Sequence, residues 1–227
     1  MKLEKIFTEI RFEPSFLFED GRTRNNIVKD LKRNFPHYEY NEEQKVIAFV
    51  NHQNKVKCFM YNDKVIVDID EPRDVTQFKS IASDTIPKVL TAFEIEQTSR
   101  IGIRAQYHDD SITSATETNK AIVERFFNLN GIQFIKQRIN DENFKPNAGF
   151  SFTVNHEFQM TVNVGVHQSV SGKIDEQGKL QVTGVEATNP VCDMDMFSNV
   201  PKKPDQINGM LRFACEEIPL TLNKIWG

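Results

Sequence analysis

Cysteine and tryptophan are scarce in this chain of 227 residues, which has three cysteines and one tryptophan. Cys58, Cys192 and Cys215 are odd in number and form no CxxC pair, which disfavours both a disulfide framework and a paired-thiol motif. We interpret them as reduced, buried thiols of a cytoplasmic protein. No apolar run approaches the roughly 18 residues of a transmembrane helix, and the segment after Met1 is charged throughout, unlike a signal peptide. We therefore expect no membrane association.

An excess of one charge sign is also missing, because the net charge is only −4. Residues 1–97 carry 15 basic and 17 acidic side chains, and residues 98–227 carry 13 and 15, so each part has a net charge of −2. Nonspecific nucleic-acid binding depends on many phosphate contacts from Lys and Arg, so this balance disfavours nucleic acid as a partner. The ten glycines are scattered and form no phosphate loop, and no GxSxG or HExxH motif occurs. We expect no cofactor, and enzymatic activity is less favoured than binding.

Phenylalanine is abundant, with 18 copies, so a substantial core can form. Period-two alternation predicts a first strand at residues 5–12, and apolar residues every three to four positions predict a helix at 23–35. Hairpin-linked strands are then predicted up to residue 70, with a further short strand at 37–40. Asp74 is a favourable N-cap residue for the long helix that follows.

A similar order of elements begins again at residue 98. A strand, a helix with the capping box of Ser114 and Glu117, further strands and a closing helix at about 205–225 are predicted. The predicted strands cover residues 131–137, 149–156, 158–167 and 179–187. We expect a tight turn at 175–179 with Gly178 in a left-handed conformation. Residues 189–204 are interpreted as an irregular loop.

Three sequence echoes link the two parts of the chain in the same order. Residues 9–12 (EIRF) resemble GIRA at an offset of 93, and residues 26–31 (NIVKDL) resemble AIVERF at an offset of 95. Residues 81–90 (IASDTIPKVL) resemble FACEEIPLTL at an offset of 132. The shared order predicts an internal duplication, in which the second copy carries an insertion of roughly 37 residues, the difference between 132 and 95.

The predicted fold class is therefore α+β, with two tandem β-α-β(n)-α units at residues 1–97 and 98–227. We expect antiparallel sheets packed by long helices that are bent at Pro87 and Pro219. A proline inside a helix removes one backbone hydrogen bond and displaces the preceding turn, so the helix can follow a twisted sheet. The alternative is that each helix breaks there into two shorter ones.

Three stretches resemble a sporadically distributed bacterial protein family of unknown function: TEIRFEP near the N-terminus, SRIGIR after the first long helix, and a C-terminal amphipathic helix ending in Trp226. The resemblance implies a bacterial or phage origin and no known activity. The chain departs from the family pattern at residues 105–108, where family members carry an aromatic residue and an asparagine. A duplicated β-α-sheet-α unit is also similar in topology to the saddle of the TATA-binding protein, which is an analogy of fold.

Two pairs of aspartates are candidate metal ligands. Asp68 and Asp70 end a predicted strand on one side of it, and Asp193 and Asp195 stand two apart before the closing helix. Oxygen ligands so placed suit Mg²⁺ or Ca²⁺. The alternative, which we favour, is a solvated strand end beside a helix N-terminus, where acidic residues are stabilised.

Other candidate side chains are basic residues and histidines. Arg11 and Arg104 occupy matching positions in the two first strands, where they could form structural ion pairs or bind an anion. His108 is followed by two aspartates and could ligate a metal, and His156 could approach His167 across a hairpin. A zinc site needs three or four converging ligands, so we favour the alternative that His108 lies in a turn at a strand end. A basic cluster around the first helix would serve a nucleic-acid surface, or simply a charged solvent face. It contains Arg22, Arg24, Lys29, Lys32 and Arg33.

The leading prediction of function is a non-catalytic binding or interaction protein of bacterial or phage origin that binds a protein partner or self-associates as a homo-oligomer. It follows from the missing catalytic motifs and the large expected sheet surface. The first alternative is a nucleic-acid-binding saddle, and the second is a metal-dependent enzyme that uses the paired aspartates.

Overall fold

The structure is a computed structural model, and it describes residues 1–127, 145–154, 157–174 and 179–227. Within these ranges it contains nine strands, four α-helices and one 3-10 turn. The strands are β1 (Lys2–Phe12), β2 (His37–Asn41), β3 (Val46–Asn51), β4 (Val56–Met60), β5 (Lys64–Asp70), β6 (Thr98–His108), β7 (Ala148–Val154), β8 (Phe158–Ile174) and β9 (Leu180–Ser198). The helices are α1 (Gly21–Leu31), α2 (Val75–Ala92), α3 (Ala115–Phe126) and α4 (Pro204–Trp226).

The described strands form a single sheet in the order β2-β3-β4-β5-β1-β6-β9-β8-β7, and every neighbouring pair is antiparallel. The α+β class is therefore confirmed. β1 lies in the middle, between β5 and β6. β1 belongs to residues 1–97 and β6 to residues 98–227. Because these two strands pair, both parts of the chain contribute strands to one sheet.

Side chains of β1 alternate between two environments, as its period-two pattern predicts. Ile6 and Ile10 are fully buried, whereas Lys5, Phe7 and Glu9 on the opposite side are partly exposed. The buried side belongs to one core cluster that also contains apolar residues of all four described helices. We call this the covered face of the sheet, and the side that carries Lys5, Phe7 and Glu9 the open face. No described helix packs on the open face.

The two long helices, α2 and α4, pack against each other over the covered face. α2 begins after Asp74, whose side chain accepts a hydrogen bond from the Gln77 N–H at 2.9 Å, as its N-cap role predicts. Pro87 and Pro219 lie inside α2 and α4, and each helix continues through its proline. Of the described helices, none has the length and apolar character needed to cross a membrane.

The irregular loop predicted from residue 189 is wrong for residues 189–198, which belong to β9. Cys192, Met194 and Met196 are fully buried, and the aspartates between them point to the open face. This is a half-buried strand whose apolar positions hold Met and Cys rather than β-branched residues. The short strand predicted at 37–40 is confirmed as β2. The strand predicted at 131–137 and the turn containing Gly178 lie outside the described residues.

Candidate interaction surface on the open face

Charged and aromatic side chains occupy the central row of the open face. Phe7 on β1 lies opposite Asp68 on β5 and Arg104 on β6. Arg104 in turn lies opposite Asp195 on β9. Directly opposed side chains on one face of a sheet are close enough to interact. The row therefore sets a half-buried aromatic ring between an acidic and a basic side chain.

Lys5 links the first pair of predicted aspartates. Its Nζ lies 2.9 Å from Asp68 Oδ2 and 3.1 Å from Asp70 Oδ1, and Lys57 Nζ lies 2.8 Å from Asp70 Oδ2. Burial opposes the charge on Lys5, but its hydrogen bonds to the two carboxylates prevail and raise its pKa. Burial likewise opposes the charge on Asp70, but the two lysines prevail and lower its pKa. Both carboxylates are thus held in place by ammonium groups.

Arg104 holds one aspartate of the second pair. Its guanidinium binds Asp193 through two nitrogens, with Nε 2.8 Å from Oδ1. Arg11 instead pairs with Glu9, whose Oε1 lies 2.6 Å from its Nε. Both arginines singled out by their matching positions therefore take part in ion pairs on the open face, and Arg104 makes the bidentate geometry that favours a fixed side chain.

Asp195 differs from its neighbours because its charge is not fully compensated. Burial raises the pKa of this carboxyl, although Arg100 and Arg104 act in the opposite direction. Arg100 also lies over the ring of Phe197, 5.0 Å from its centroid. A half-buried carboxylate with a raised pKa is a common feature of binding and catalytic sites, as well as of structural networks.

A cavity of about 600 Å³ lies at the end of the central strands on the open face. In it, the rings of His108 and His167 are 4.8 Å apart, and His108 Nε2 lies 2.5 Å from Glu4 Oε2. Burial lowers the pKa of His108 and His167 adds to this effect, while Glu4 acts against it. Other charged residues of the lining are Lys5, Asp70, Glu71 and Asp193.

Sequence reasoning did not identify the contact between His108 and His167. It considered His167 together with His156, which lies outside the described residues. β6 and β8 are separated by β9 in the sheet, and a single sequence does not reveal that order. The alternation of β6 places His108 at an outward position at the end of the strand. This is the one feature of the sequence that could have indicated its place in the site.

The two aspartate pairs lie on strands separated by β1 and β6. Three interstrand steps of about 4.8 Å place them roughly 14 Å apart, too far to ligate one ion. Within the described ranges, no three His, Cys, Asp or Glu side chains are grouped to hold a metal ion. Asp68 and Asp70 instead contact lysine, and Asp193 contacts Arg104.

The basic cluster lies away from the open face. Arg22, Arg24 and Lys29 belong to α1, whose apolar residues Ile27 and Leu31 pack into the core on the covered face. The guanidinium of Arg24 also stacks over Tyr40, 4.3 Å from the ring centroid. Lys32 and Arg33 follow directly at the end of this helix. The structure thus does not bring the cluster together with Arg11 and Arg104.

The three cysteines are free and buried. Burial raises the pKa of Cys192 to about 12 and that of Cys215 to about 11, and it raises that of Cys58 as well. Thiols of this kind are almost fully protonated at neutral pH, so they are poor nucleophiles.

A scan against protein-family models finds no match to the chain, and neither does a search of curated proteins. The family resemblance of the sequence therefore stays a prediction, and the functional argument depends on the residues described above.

Proposed function

We propose that this chain is a non-catalytic binding protein whose open sheet face receives a protein partner. One observation carries the proposal. No described helix covers the open face of the sheet, and this face presents half-buried apolar side chains among several ion pairs. The apolar members include Phe7, Ile66 and Phe197. Protein interfaces combine an apolar centre with paired polar groups in this way.

The ion pairs on this face support recognition because they fix side chains before a partner arrives. Lys5 is held between two carboxylates, and Arg104 binds Asp193 through two hydrogen bonds. Long charged side chains normally lose conformational freedom on binding, so side chains that are already ordered reduce this cost. Fixed charges also select partners whose own charges complement them.

The charge pattern favours a protein over a nucleic acid. The central cations of the open face contact carboxylates, and the alpha-helical basic cluster lies on the other side of the sheet. A polyanion on the open face would approach Asp68, Asp193 and Asp195, which repel phosphate. A protein partner can supply groups of both signs. The charges of the open face therefore do not support the predicted nucleic-acid-binding saddle.

The same charges argue against the metal-dependent enzyme. A cation bound by Asp68 and Asp70 would have to displace Lys5, and one bound by Asp193 would have to displace Arg104. Releasing a paired, half-buried cation leaves it without its partner, which costs free energy.

We further propose that the surface arose by duplication of one unit. The sequence echo aligns Glu9 with Gly102, at an offset of 93. In the β1–β6 pair, Glu9 lies directly opposite Gly102. Two antiparallel strands related by a twofold axis have one pair of equivalent residues directly opposite each other, and the axis passes between these two residues. The register of the sheet thus supports local twofold symmetry at the centre of the open face, as does the packing of α2 on α4.

The proposal is tested by matched charge insertions on opposite sides of the molecule. Phe7→Arg adds a cation to the middle of the open face, while Leu220→Arg changes an exposed apolar residue of α4, which is 52% exposed. Tagged wild type and both variants are used to isolate partners from a bacterial lysate, the setting that the family resemblance implies, and bound material is identified by mass spectrometry.

We expect a protein that is retained by wild type and by Leu220→Arg and lost with Phe7→Arg, with all three chains equally folded by circular dichroism. A partner retained by Phe7→Arg but lost with Leu220→Arg would place the binding surface on the helices. Recovery of nucleic acid instead of protein, with salt-sensitive binding, would favour the saddle alternative.

A further inference from the structure

A groove of about 410 Å³ lies where β1 ends and β6 begins. One side of it is formed by residues 13–17, which follow β1, and the other by residues 93–97, which connect α2 to β6. None of these residues belongs to a strand, so the groove shares no residue with the open face. We call it the end groove.

Hydrogen bonds fix both sides of the end groove. The Ser15 N–H donates to the Asn62 carbonyl at 2.8 Å, and the Ser15 hydroxyl donates to the Phe93 carbonyl at 3.0 Å, across the groove. On the second side, the Ile95 N–H donates to the Leu90 carbonyl of α2 at 2.9 Å. The groove is therefore a preformed part of the fold, as binding sites usually are.

Apolar side chains line the end groove and project from it. Phe16 is 94% exposed, the highest value among the large apolar side chains of the described ranges. Leu17 and Ile95 are partly buried and pack against the core. Phe18, which follows in the same turn, is fully buried, with its ring centroid 5.9 Å from that of Phe93. The turn thus holds an apolar patch in water in a fixed position, which is typical of a surface that contacts another molecule.

The charged side chains of the end groove are all acidic. Glu13, Glu94 and Glu96 are exposed, and no Lys, Arg or His lines the groove with them. None of the three carboxylates forms an ion pair within the part of the chain that the structure describes. The C-terminal end of α2 adds a partial negative charge, and its last turn carries no basic side chain. The described residues therefore leave the negative charge of the groove uncompensated.

Glu94 carries its charge at a backbone position that favours glycine. Its φ is 54°, in the left-handed region. The Glu94 N–H donates to the Thr91 carbonyl at 3.1 Å, and together with the bond from Ile95 to Leu90 this ends α2 in a Schellman motif. The left-handed residue of that motif is usually glycine. Because glycine would suit the fold better, a carboxylate at this position indicates a role other than folding.

We propose that the end groove binds a basic peptide segment of another protein. An apolar side chain of the segment contacts Phe16, Leu17 and Ile95, and lysine or arginine side chains beside it face the three glutamates. Charge complementarity identifies this occupant, because the uncompensated carboxylates attract cations and repel nucleic acids and anionic lipids. The volume is at the lower end of the roughly 300–1,000 Å³ of binding pockets, which suits a few side chains. The proposal does not depend on the function of the open face.

Short peptides with a fluorescent label test the chemistry of the occupant on the intact chain. The first peptide alternates lysine and leucine, the second has serine in place of leucine, and the third has glutamate in place of lysine. Fluorescence anisotropy at roughly physiological salt measures their binding. We expect the lysine–leucine peptide to bind at least about tenfold more tightly than either of the others, and its affinity to fall as salt is added.

An alanine substitution locates the apolar contact. Phe16→Ala removes the exposed ring, and we expect it to weaken binding of the lysine–leucine peptide at least about tenfold. Leu220→Ala is the matched control, since Leu220 is an exposed apolar residue of α4, and it should bind as wild type does. Circular dichroism should show that both variants are folded.

Paired substitutions locate the charge contact. Glu94→Gln combined with Glu96→Gln should weaken binding of the same peptide at least about tenfold and reduce its salt dependence. Glu117→Gln combined with Glu186→Gln is the matched control. It removes two exposed carboxylates near residues 113 and 188, at the other end of β6, and should leave the affinity within about twofold.

Glu94→Gly separates binding from folding. Glycine suits the left-handed backbone, so we expect a melting temperature equal to or above that of wild type, together with weaker peptide binding. A lower melting temperature with unchanged binding would show that this carboxylate serves the fold instead of the groove, and would overturn its assigned role.

Several outcomes would overturn the proposal as a whole. Equal binding of the lysine–leucine and lysine–serine peptides, or an equal loss in the Glu117 and Glu186 control, would show general attraction to an acidic protein. No binding up to about 1 mM peptide would exclude the occupant. A concentration-dependent dimer of the chain that is lost in Phe16→Ala would assign the groove to a second copy instead.

Discussion

The two faces of the sheet use the same strands for different purposes. On β1, Ile6 and Ile10 are fully buried under the helices, while Lys5 and Glu9 lie in ion pairs on the opposite side. The covered face excludes water and contributes most of the stability. The open face contributes little to stability, because ion pairs of this exposure are worth about 0–1 kcal/mol each. The charge pattern of the open face can therefore change to suit a binding partner with little effect on stability.

The largest expected difference between the faces comes from shortening neighbouring residues of β1. Ile10→Ala removes buried methyl groups and leaves a cavity, so we expect the free energy of unfolding to fall by about 2–5 kcal/mol. Glu9→Ala, the adjacent open-face change, should cost less than about 1 kcal/mol. Urea denaturation of both variants measures the contrast, and equal losses would show that the open face is as important for stability as the covered one.

The sequence predicts well which side chains of a strand lie on the covered face and which lie on the open face, because apolar and polar residues alternate. The pattern of β1 indicates which residues are buried, and Asp74 marks the start of α2. β9 was missed at residues 189–198 because its buried positions hold Cys192, Met194 and Met196 between aspartates, which lack the β-branched signature of a strand.

The contacts of the open face depend on strand order, which local patterns do not contain. Lys5 meets Asp68 because β1 lies beside β5, and Arg104 meets Asp193 because β6 lies beside β9. The sequence shows that these side chains point outward. It does not show which of them are neighbours, so the same aspartates were also compatible with a metal site.

Thr8 tests the contribution of a polar group on the covered face, because it is a polar residue that is fully buried there. Its hydroxyl donates to the Gly102 carbonyl at 2.8 Å, across the central β1–β6 pair. Thr8→Val removes this bond while keeping the shape, so we expect a loss of about 1 kcal/mol in thermal or urea denaturation. Thr161→Val, on the partly exposed side of β8, is the control and should stay within about 0.5 kcal/mol. No difference between the two would mean that the buried bond adds nothing.

The charge on Asp195 is expected to lower the stability of the fold, whereas the charge on a paired carboxylate such as Asp70 raises it. The pKa of Asp195 is raised above the ordinary 3.8, chiefly by burial, so the folded state binds its proton more tightly than the unfolded state. The charge therefore costs stability at pH 7, and the cost disappears as the pH falls below 3.8. Asp195→Asn should raise the melting temperature slightly at pH 7, and the gain should shrink on acidification. A lower melting temperature at pH 7 would indicate that attraction to Arg100 and Arg104 outweighs burial.

The smallest expected effect is a pH dependence from His108, at the edge of the open face. Burial lowers its pKa below the ordinary 6.5, against the opposing attraction of Glu4 and Asp110 and with the support of His167. The unfolded chain therefore takes up the proton first as the pH falls. Stability is lost as the pH drops through 6.5 towards the folded pKa, and the slope from one group cannot exceed about 1.4 kcal/mol per pH unit. His108→Asn should flatten the unfolding free energy measured between pH 7.5 and 5.5, whereas His37→Gln, a change at an exposed residue of β2, should leave the profile as in wild type. A steeper profile in His108→Asn would mean that the Glu4 contact, not burial, governs this histidine, and that acid strengthens this edge of the surface.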